Sequence, residues 1–392
     1  QIAPAPGVDP ASYSVRWTGT ITPPAPGSYQ FAIDTHRCDI GGAGERYTVT
    51  IEGAAPFSAQ SDCKERSQGV TMPAVSFADT RPRTFTFELS HPKGRSGSLS
   101  FAWKAPLDAL RAEAVRSAAK ADVVVAFVGL NAWLEGEEMP LKVPGFDGGD
   151  RTDIGLPGPQ AALLDALAAT GKPVVVVLQS GSAIALGEQG RKAKAVLQAW
   201  YPGEQGGQAI ADILRGTVNP SGRLPVTFYA SAGQLPAFGN YGMANRTYRY
   251  FGGRPEYAFG HGLSYTRFAY SGLKVAAPSV AAGSGQTVTV QVRNAGKVAG
   301  DEVAQLYLSV PDRAGVPLRS LKGYERVHLQ PGESRTVSFQ LDPRVLAFSD
   351  EAGVMRVTPA SYRLWVGGGQ QDAGAPGQAG RFSVTGAVAL PR

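Results

Sequence analysis

Apolar and polar positions alternate with period two through the first hundred residues, in short runs such as SYSVRWTGT, GSYQFAIDT, RYTVTIEG, RTFTFELS and SLSFAWKA, each bounded by Gly, Pro or Asp. Alternation of that kind places every second side chain on one face of a strand, so Ser12 to Ala105 predicts an antiparallel β-sandwich. The pattern changes at Pro106. PLDALRAEAVRSAAKA carries helical spacing and leads into DVVVAFVGL, a continuous apolar run of the kind buried on both faces of a parallel sheet. Helix and strand then alternate: PGPQAALLDALAAT before KPVVVVLQ, a charged helical stretch before KAVLQAW, and GGQAIADILRG before GRLPVTFY. This order predicts an open α/β sheet with three or four strands in view, its opening strands expected in polypeptide that precedes residue 1. After a Gly- and aromatic-rich connection, strand patterning resumes from Val275 with TVTVQVRN, DEVAQLYLSV, SRTVSFQLD and SYRLWVGG, at the spacing of an immunoglobulin-like sandwich.

The expected fold class is therefore multidomain α/β plus all-β. The expected boundaries are a β-sandwich module at 1–105, an open α/β sandwich domain at 106–272 and a second β-sandwich at 273–392. Composition agrees, since 392 residues exceed one ordinary core, and 49 Gly and 29 Pro suit a turn-rich protein better than a helical bundle.

Charge and chemistry narrow the function. A net charge of +6 arises from scattered residues without a basic run, which argues against nucleic acid as a partner. The longest apolar run is far short of the roughly 18 residues a membrane-spanning helix needs. Cys38 and Cys63 leave two readings open: a disulfide, fitting an oxidising compartment, or two packed thiols. The opening QIAPAPGVDP lacks the positive start and apolar core of a signal peptide, so a secreted protein would have lost its leader, and a longer parent chain is expected. Four scattered histidines without HExxH spacing make a catalytic metal unexpected, QSGSA lacks a nucleophile elbow, YPGEQGG has no lysine for a phosphate, and no cofactor motif appears.

Open α/β sheets bind ligands beyond the carboxyl ends of their strands, which directs attention to the loops after Leu130, Gln179 and Trp200. The first reads NAWLEGEEMPLKVPGFDGGDR and gathers Glu135, Glu137, Glu138, Asp147, Asp150 and Arg151. Acidic loops are often only solvated surface, but a glutamate there with a raised pKa could protonate a leaving oxygen and later deprotonate water.

ADVVVAFVGLNAWLEGEE, GGDRTDIGLPGPQAALLDAL, GKPVVVVLQSG, AWYPGEQGGQAIADILRGTVNPSGRLPVTF and YRYFGGRPEYAFGHGLSYTRFAYS together resemble the C-terminal α/β-sandwich region of glycoside hydrolase family 3. VRNAGKVAGDEVAQLYLSVP and LKGYERVHLQPGESRTVSFQL resemble the fibronectin type III-like domain that closes many members. The first hundred residues are similar to the protective-antigen-type β-sandwich module inserted in some members, either a sugar-binding surface or a spacer. The resemblance implies a secreted or periplasmic retaining exo-β-glycosidase acting on oligosaccharides or aryl glycosides, of β-xylosidase or β-glucosidase type. Its aspartate nucleophile would lie on an N-terminal (β/α)8 barrel that this chain lacks. By the same resemblance LEGEE places Glu137 on the acid/base position and Glu135 on its partner. The inserted MPLKVPGFDGG keeps Glu135 a live alternative and Glu138 a weaker one; Asp150 and Arg151 become loop-fixing or substrate-near residues. A noncatalytic carbohydrate-binding scaffold is the rival reading.

Overall fold

A computed structural model describes residues 7–9, 13–36, 44–61, 67–91, 98–136, 138, 142–311, 313–350 and 352–391. Cys38, Cys63 and Glu137 lie outside the described residues. The chain divides into two compact units, Gln1–Val124 with Asp165–Lys172, and Val125–Leu164 with Pro173–Arg392.

In the first unit, strands β1 (Tyr13–Ile21), β2 (Gly27–His36), β3 (Arg46–Ile51), β4 (Phe57–Gln60), β5 (Ser67–Thr71), β6 (Val75–Phe77), β7 (Arg83–His91) and β8 (Ser98–Lys104) build antiparallel sheets. One has the order β1-β7-β3-β4; in the other β2 pairs with β5, β6 and β8. The period-two pattern has the packing consequence expected of it: Tyr29, Phe31 and Ile33 from β2 meet Tyr47, Val49 and Ile51 from β3 in one core. Helix α1 (Leu107–Ala119) follows.

The α/β segment carries β9 (Val124–Gly129), the short β10 (Lys142–Val143), β11 (Phe146–Asp147) and β12 (Asp150–Arg151), α2 (Gly158–Ala168), β13 (Val174–Gln179), α3 (Glu188–Lys192), β14 (Ala195–Gln198), α4 (Gly206–Arg215) and the turn α5 (Thr247–Tyr250). The sheet order is β14-β13-β9, with β13 parallel to β14. Val174, Val176, Val177 and Leu178 are buried along β13. β9 differs from the expectation of burial on both faces: Ala126 and Val128 are buried, but Val125 is 42% and Phe127 57% exposed. The reason is position, because β9 is an outer strand of this sheet and one of its faces lacks cover among the described residues.

GRLPVTFY also departs from its expected strand. Pro225 has no amide hydrogen for a ladder, and the segment bonds instead to a later loop, Leu224 N–H to His261 O at 2.9 Å and Phe228 N–H to Tyr257 O at 2.9 Å. Among the described residues the sheet therefore has three strands, the lower of the two numbers expected.

The remaining sheets hold β15 (Phe268–Val275), β16 (Ser279–Ala281), β17 (Gln286–Asn294), β18 (Gly300–Ser309), β19 (Ser320–Leu329), β20 (Ser334–Leu341), helix α6 (Pro343–Leu346), β21 (Phe348–Ser349), β22 (Met355–Val357), β23 (Ala360–Gly367), β24 (Gly377–Thr385) and β25 (Val388–Ala389). Strand pairing begins at Phe268, earlier than the sequence pattern indicated. The orders β15-β17-β20 and β16-β24-β23-β18-β19 share one apolar core that includes Val290, Leu306, Val337 and Val366.

A buried polar seam joins β18 to the stretch after α4. Arg223 and Glu302, 10% and 3% exposed, pair at 2.9 Å, and the Tyr270 hydroxyl donates to the other Glu302 oxygen at 2.6 Å. Burial pushes the Glu302 carboxyl up, against the pull of Arg223 and Tyr270. Breaking such a pair from one side strands a buried charge, which costs about 3–5 kcal/mol, whereas replacing both partners by apolar groups is often nearly neutral. Glu302→Ala is therefore expected to lower the urea midpoint sharply, and the double variant Arg223→Met with Glu302→Leu to recover most of that loss. Additive losses in the double variant would refute the seam as a coupled pair.

Candidate functional site

Three chain segments meet at the carboxyl ends of β9, β13 and β14, and the Glu135 carboxylate is the point on which they converge. β9 ends at Gly129, where φ is +138° and a Cβ would lie 1.8 Å from the Gln179 carbonyl oxygen, so only glycine fits. The Gln160 side chain of α2 fastens this end from both sides, accepting from Gly129 N–H at 2.6 Å and donating to its carbonyl at 2.8 Å. The chain then turns over Asn131, whose side-chain oxygen accepts from the amides of Trp133 and Leu134 at 3.0 Å each. Its carbonyl accepts from the Glu135 amide at 3.1 Å.

Glu135 is half-buried and fully occupied as an acceptor. One oxygen takes the Gly181 amide at 2.8 Å and the Tyr201 hydroxyl; the other takes the Ser182 amide at 3.1 Å and the Ser182 hydroxyl. Gly181 permits the approach, because a Cβ there would sit 3.0 Å from the Tyr201 ring and 3.2 Å from the carboxylate. Burial alone would raise the Glu135 pKa, but the Ser182 and Tyr201 hydroxyls and the two amides outweigh it and hold the carboxyl below its ordinary value. The Tyr201 phenol moves the other way, pushed up to about 12 by burial and by the adjacent carboxylate. Tyr201 follows Trp200, a bulky residue at φ +55° whose ring meets Phe228 edge-on at 6.1 Å.

The insertion after Glu138 folds as a small antiparallel meander of β10, β11 and β12. Gly148 and Gly149, both at positive φ, make its tight turn, and the Arg151 guanidinium lies over the buried Phe146 ring at 5.7 Å. Arg151 donates to the Ser182 hydroxyl at 3.1 Å and to the carbonyls of Asp153, Ala183 and Gly155 at 3.0, 3.3 and 2.9 Å. Its charge acts on Glu135 through space rather than by direct contact. Asp150 is exposed on β12 and is not paired with Arg151 among the described contacts; Glu138 and Asp147 are likewise exposed, Glu138 at φ +48°.

Of the residues singled out from sequence, Glu135 and Arg151 thus come together around Ser182, while Asp150 and Glu138 stand apart and Glu137 falls outside the described residues. Sequence reasoning missed Gly181, Ser182 and Tyr201 as its partners, although QSGSA and AWYPGEQGG had drawn attention for other chemistries.

The chain belongs to glycosyl hydrolase family 3. The model of that family's C-terminal domain matches residues 13–265, well over half of the chain, and a fibronectin type III-like domain model matches residues 302–370. It is 45% identical over 240 residues to a xylan 1,4-beta-xylosidase of Xylanibacter ruminicola, covering 61% of this chain and 28% of that protein. It is 39% identical over 268 residues to a periplasmic beta-glucosidase of Salmonella typhimurium, covering 65% of this chain and 34% of that one. Among solved structures, the beta-glucosidase of Kluyveromyces marxianus in complex with glucose superposes with a TM-score of 0.75 at 27% identity, over 99% of this chain and 46% of that one. The chain spans about a third of the length of these two curated relatives. Among the described residues no helix is long and apolar enough to cross a membrane.

If the four bonds to Glu135 hold its loop, removing the charge should free the amides they engage. Glu135→Gln must turn an amide NH2 toward a donor, so hydrogen exchange at Gly181 and Ser182 should accelerate roughly 5- to 150-fold, the consequence of about 1–3 kcal/mol for a donor left unpaired. In the unaltered protein the depressed folded-state pKa puts this contribution fully in place above the ordinary glutamate pKa of about 4.3, to be lost as pH falls through the lower folded value. Unchanged exchange in the variant would mean that the bonds do not hold the loop.

Proposed function

We propose that this chain supplies the proton donor of a retaining exo-β-glycosidase that removes terminal β-linked xylosyl or glucosyl units from oligosaccharides or aryl glycosides. Glu137 is the acid/base, Glu135 the positioning carboxylate that fixes the loop, and Arg151 the cation that braces the same corner. The observation that carries the reading is the saturation of Glu135: a carboxylate held by four donors and kept ionised is a poor proton donor, which leaves the role to a neighbour on the loop it anchors. Family membership and the named relatives support the substrate class.

In the first step a nucleophilic aspartate attacks the anomeric carbon. The glycosidic C–O bond breaks as the Glu137 proton passes to the departing oxygen. In the second, Glu137 as carboxylate takes a proton from water, whose oxygen attacks the anomeric carbon and releases the aspartate. Retention requires the two carboxyl groups about 5–5.5 Å apart. The aspartate belongs to a (β/α)8 barrel, supplied by polypeptide other than these residues. The chain itself comprises a protective-antigen-type module at 1–105, the α/β sandwich domain at 106–272 and the fibronectin type III-like domain at 273–392, in a secreted or periplasmic protein.

Glu135→Gln, Glu137→Gln and Glu138→Gln, each made in the barrel-containing protein and assayed on aryl β-glycosides of graded leaving-group acidity, test the assignment. Glu137→Gln should lower kcat/KM, which reports the first step, by about 10²–10⁴ for poor leaving groups and spare it for activated ones, whose kcat falls instead because the second step has lost its base. Glu135→Gln should slow both alike. Normal rates for Glu137→Gln on poor leaving groups would defeat the assignment, and a noncatalytic scaffold would show no response to any of the three.

Residues 1–392 alone are expected to release no measurable aryl product, because proton donation without the nucleophile and its sugar pocket forfeits most of the transition-state stabilisation. Turnover by this polypeptide alone would place the nucleophile within it and overturn the barrel.

A further inference from the structure

Trp133 stands two residues before Glu135 on the turn that Asn131 closes, and it is 81% exposed, with no aromatic partner among the described residues. Single exposed apolar side chains are ordinary on protein surfaces. This one differs in its support. Its amide is bonded to Asn131, the strand before it is fastened at Gly129 by Gln160, and the loop after it is held through Glu135. The turn that presents the indole is therefore ordered before any ligand arrives, so little backbone entropy remains to be lost on binding. It also lies beyond the carboxyl end of β9, where ligands of open α/β sheets collect.

We infer that Trp133 is a specificity-determining residue that stacks on the departing sugar, the pyranose joined to the glycosidic oxygen from the leaving-group side. The inference rests on the glycosidase reading above and adds to it. A general acid delivers its proton to the glycosidic oxygen, and after cleavage that oxygen stays with the leaving group. The loop that presents the acid therefore borders the leaving-group side, and Trp133 is on that loop four residues before Glu137. In an oligosaccharide of xylose or glucose the departing ring is again a pyranose with equatorial substituents and a flat face of axial C–H bonds. That face matches the apolar, electron-rich face of an indole.

The test compares two substrates with the same terminal sugar: a β-linked disaccharide, which has a departing pyranose, and the β-glycosyl fluoride, which has none. In the intact enzyme, Trp133→Ala and Trp133→Leu should lower kcat/KM for the disaccharide about tenfold, mainly through KM, the scale of one stacked ring contact. Trp133→Phe, which keeps a flat face, should stay within about threefold. All three should hydrolyse the fluoride as the unaltered enzyme does. The inference is overturned if the disaccharide is unaffected, if disaccharide and fluoride fall together as a merely structural role requires, or if Leu restores activity as well as Phe. Failure of the unaltered enzyme on both substrates would remove the glycosidase reading beneath it. That result is distinct from a working enzyme indifferent to Trp133.

Discussion

The corner of the molecule at the ends of β9, β13 and β14 depends on the Glu135 carboxylate, which accepts two backbone amides and two hydroxyls from segments 46 and 66 residues away in sequence. An ionised acceptor makes stronger hydrogen bonds than a neutral one, and it remains ionised here because those bonds outweigh the burial that opposes it. One group thus ties three loops together. The same saturation sets its chemistry, since a proton placed on either oxygen would displace a donor. Glutamates on one short loop can therefore carry different roles by environment alone, the principle that separates paired carboxylates in hydrolase sites generally.

The arrangement works only if its donors are already in place. Gly181 and Ser182 lie just past the end of β13, whose buried valines and leucine leave little freedom, and Arg151 donates to the Ser182 hydroxyl and to three nearby carbonyls. Tyr201 is aimed differently. Trp200 holds a left-handed backbone that its own bulk disfavours, and such a conformation persists only where the surroundings over-determine it. Its ring abuts Phe228, which is bonded through its backbone to Glu256 and Tyr257.

Much of this fold was legible in the sequence because side-chain period reports which face is buried. β1, β3, β7, β17 and β20 follow their alternating runs, and α1, α2 and α4 follow their helical spacing. Where the reading failed, the cause was non-local. GRLPVTFY has the apolar content of a strand, but Pro225 and the pairing of Leu224 and Phe228 with residues 256–261 take it out of the sheet. DVVVAFVGL looks buried on both faces, yet burial depends on what lies beside β9, which no window of residues contains. The site divides in the same way. Topology pointed to the loops after Leu130, Gln179 and Trp200, and those loops do supply Glu135, the Gly181–Ser182 pair and Tyr201. Sequence could not say which donor meets which acceptor, because Ser182 and Tyr201 carry no local mark of a bond to Glu135.

The buried seam between Arg223 and Glu302 extends the constraint. Arg223 also donates to the Gly368 carbonyl at 3.2 Å, and Gln305 donates to Gly260 and Gly368 at 3.0 and 3.1 Å, so the segment that turns back onto Phe228 is fixed to β18 and to the loop after β23. Apolar contacts would hold these parts together at many relative settings, since dispersion and burial are only weakly directional. Directional bonds from a buried guanidinium and a buried amide are satisfied at one setting and expensive at the others. The seam thus defines where Leu224 to Phe228 must lie, and through Phe228 it limits where the Trp200 ring, and with it the Tyr201 hydroxyl, can rest.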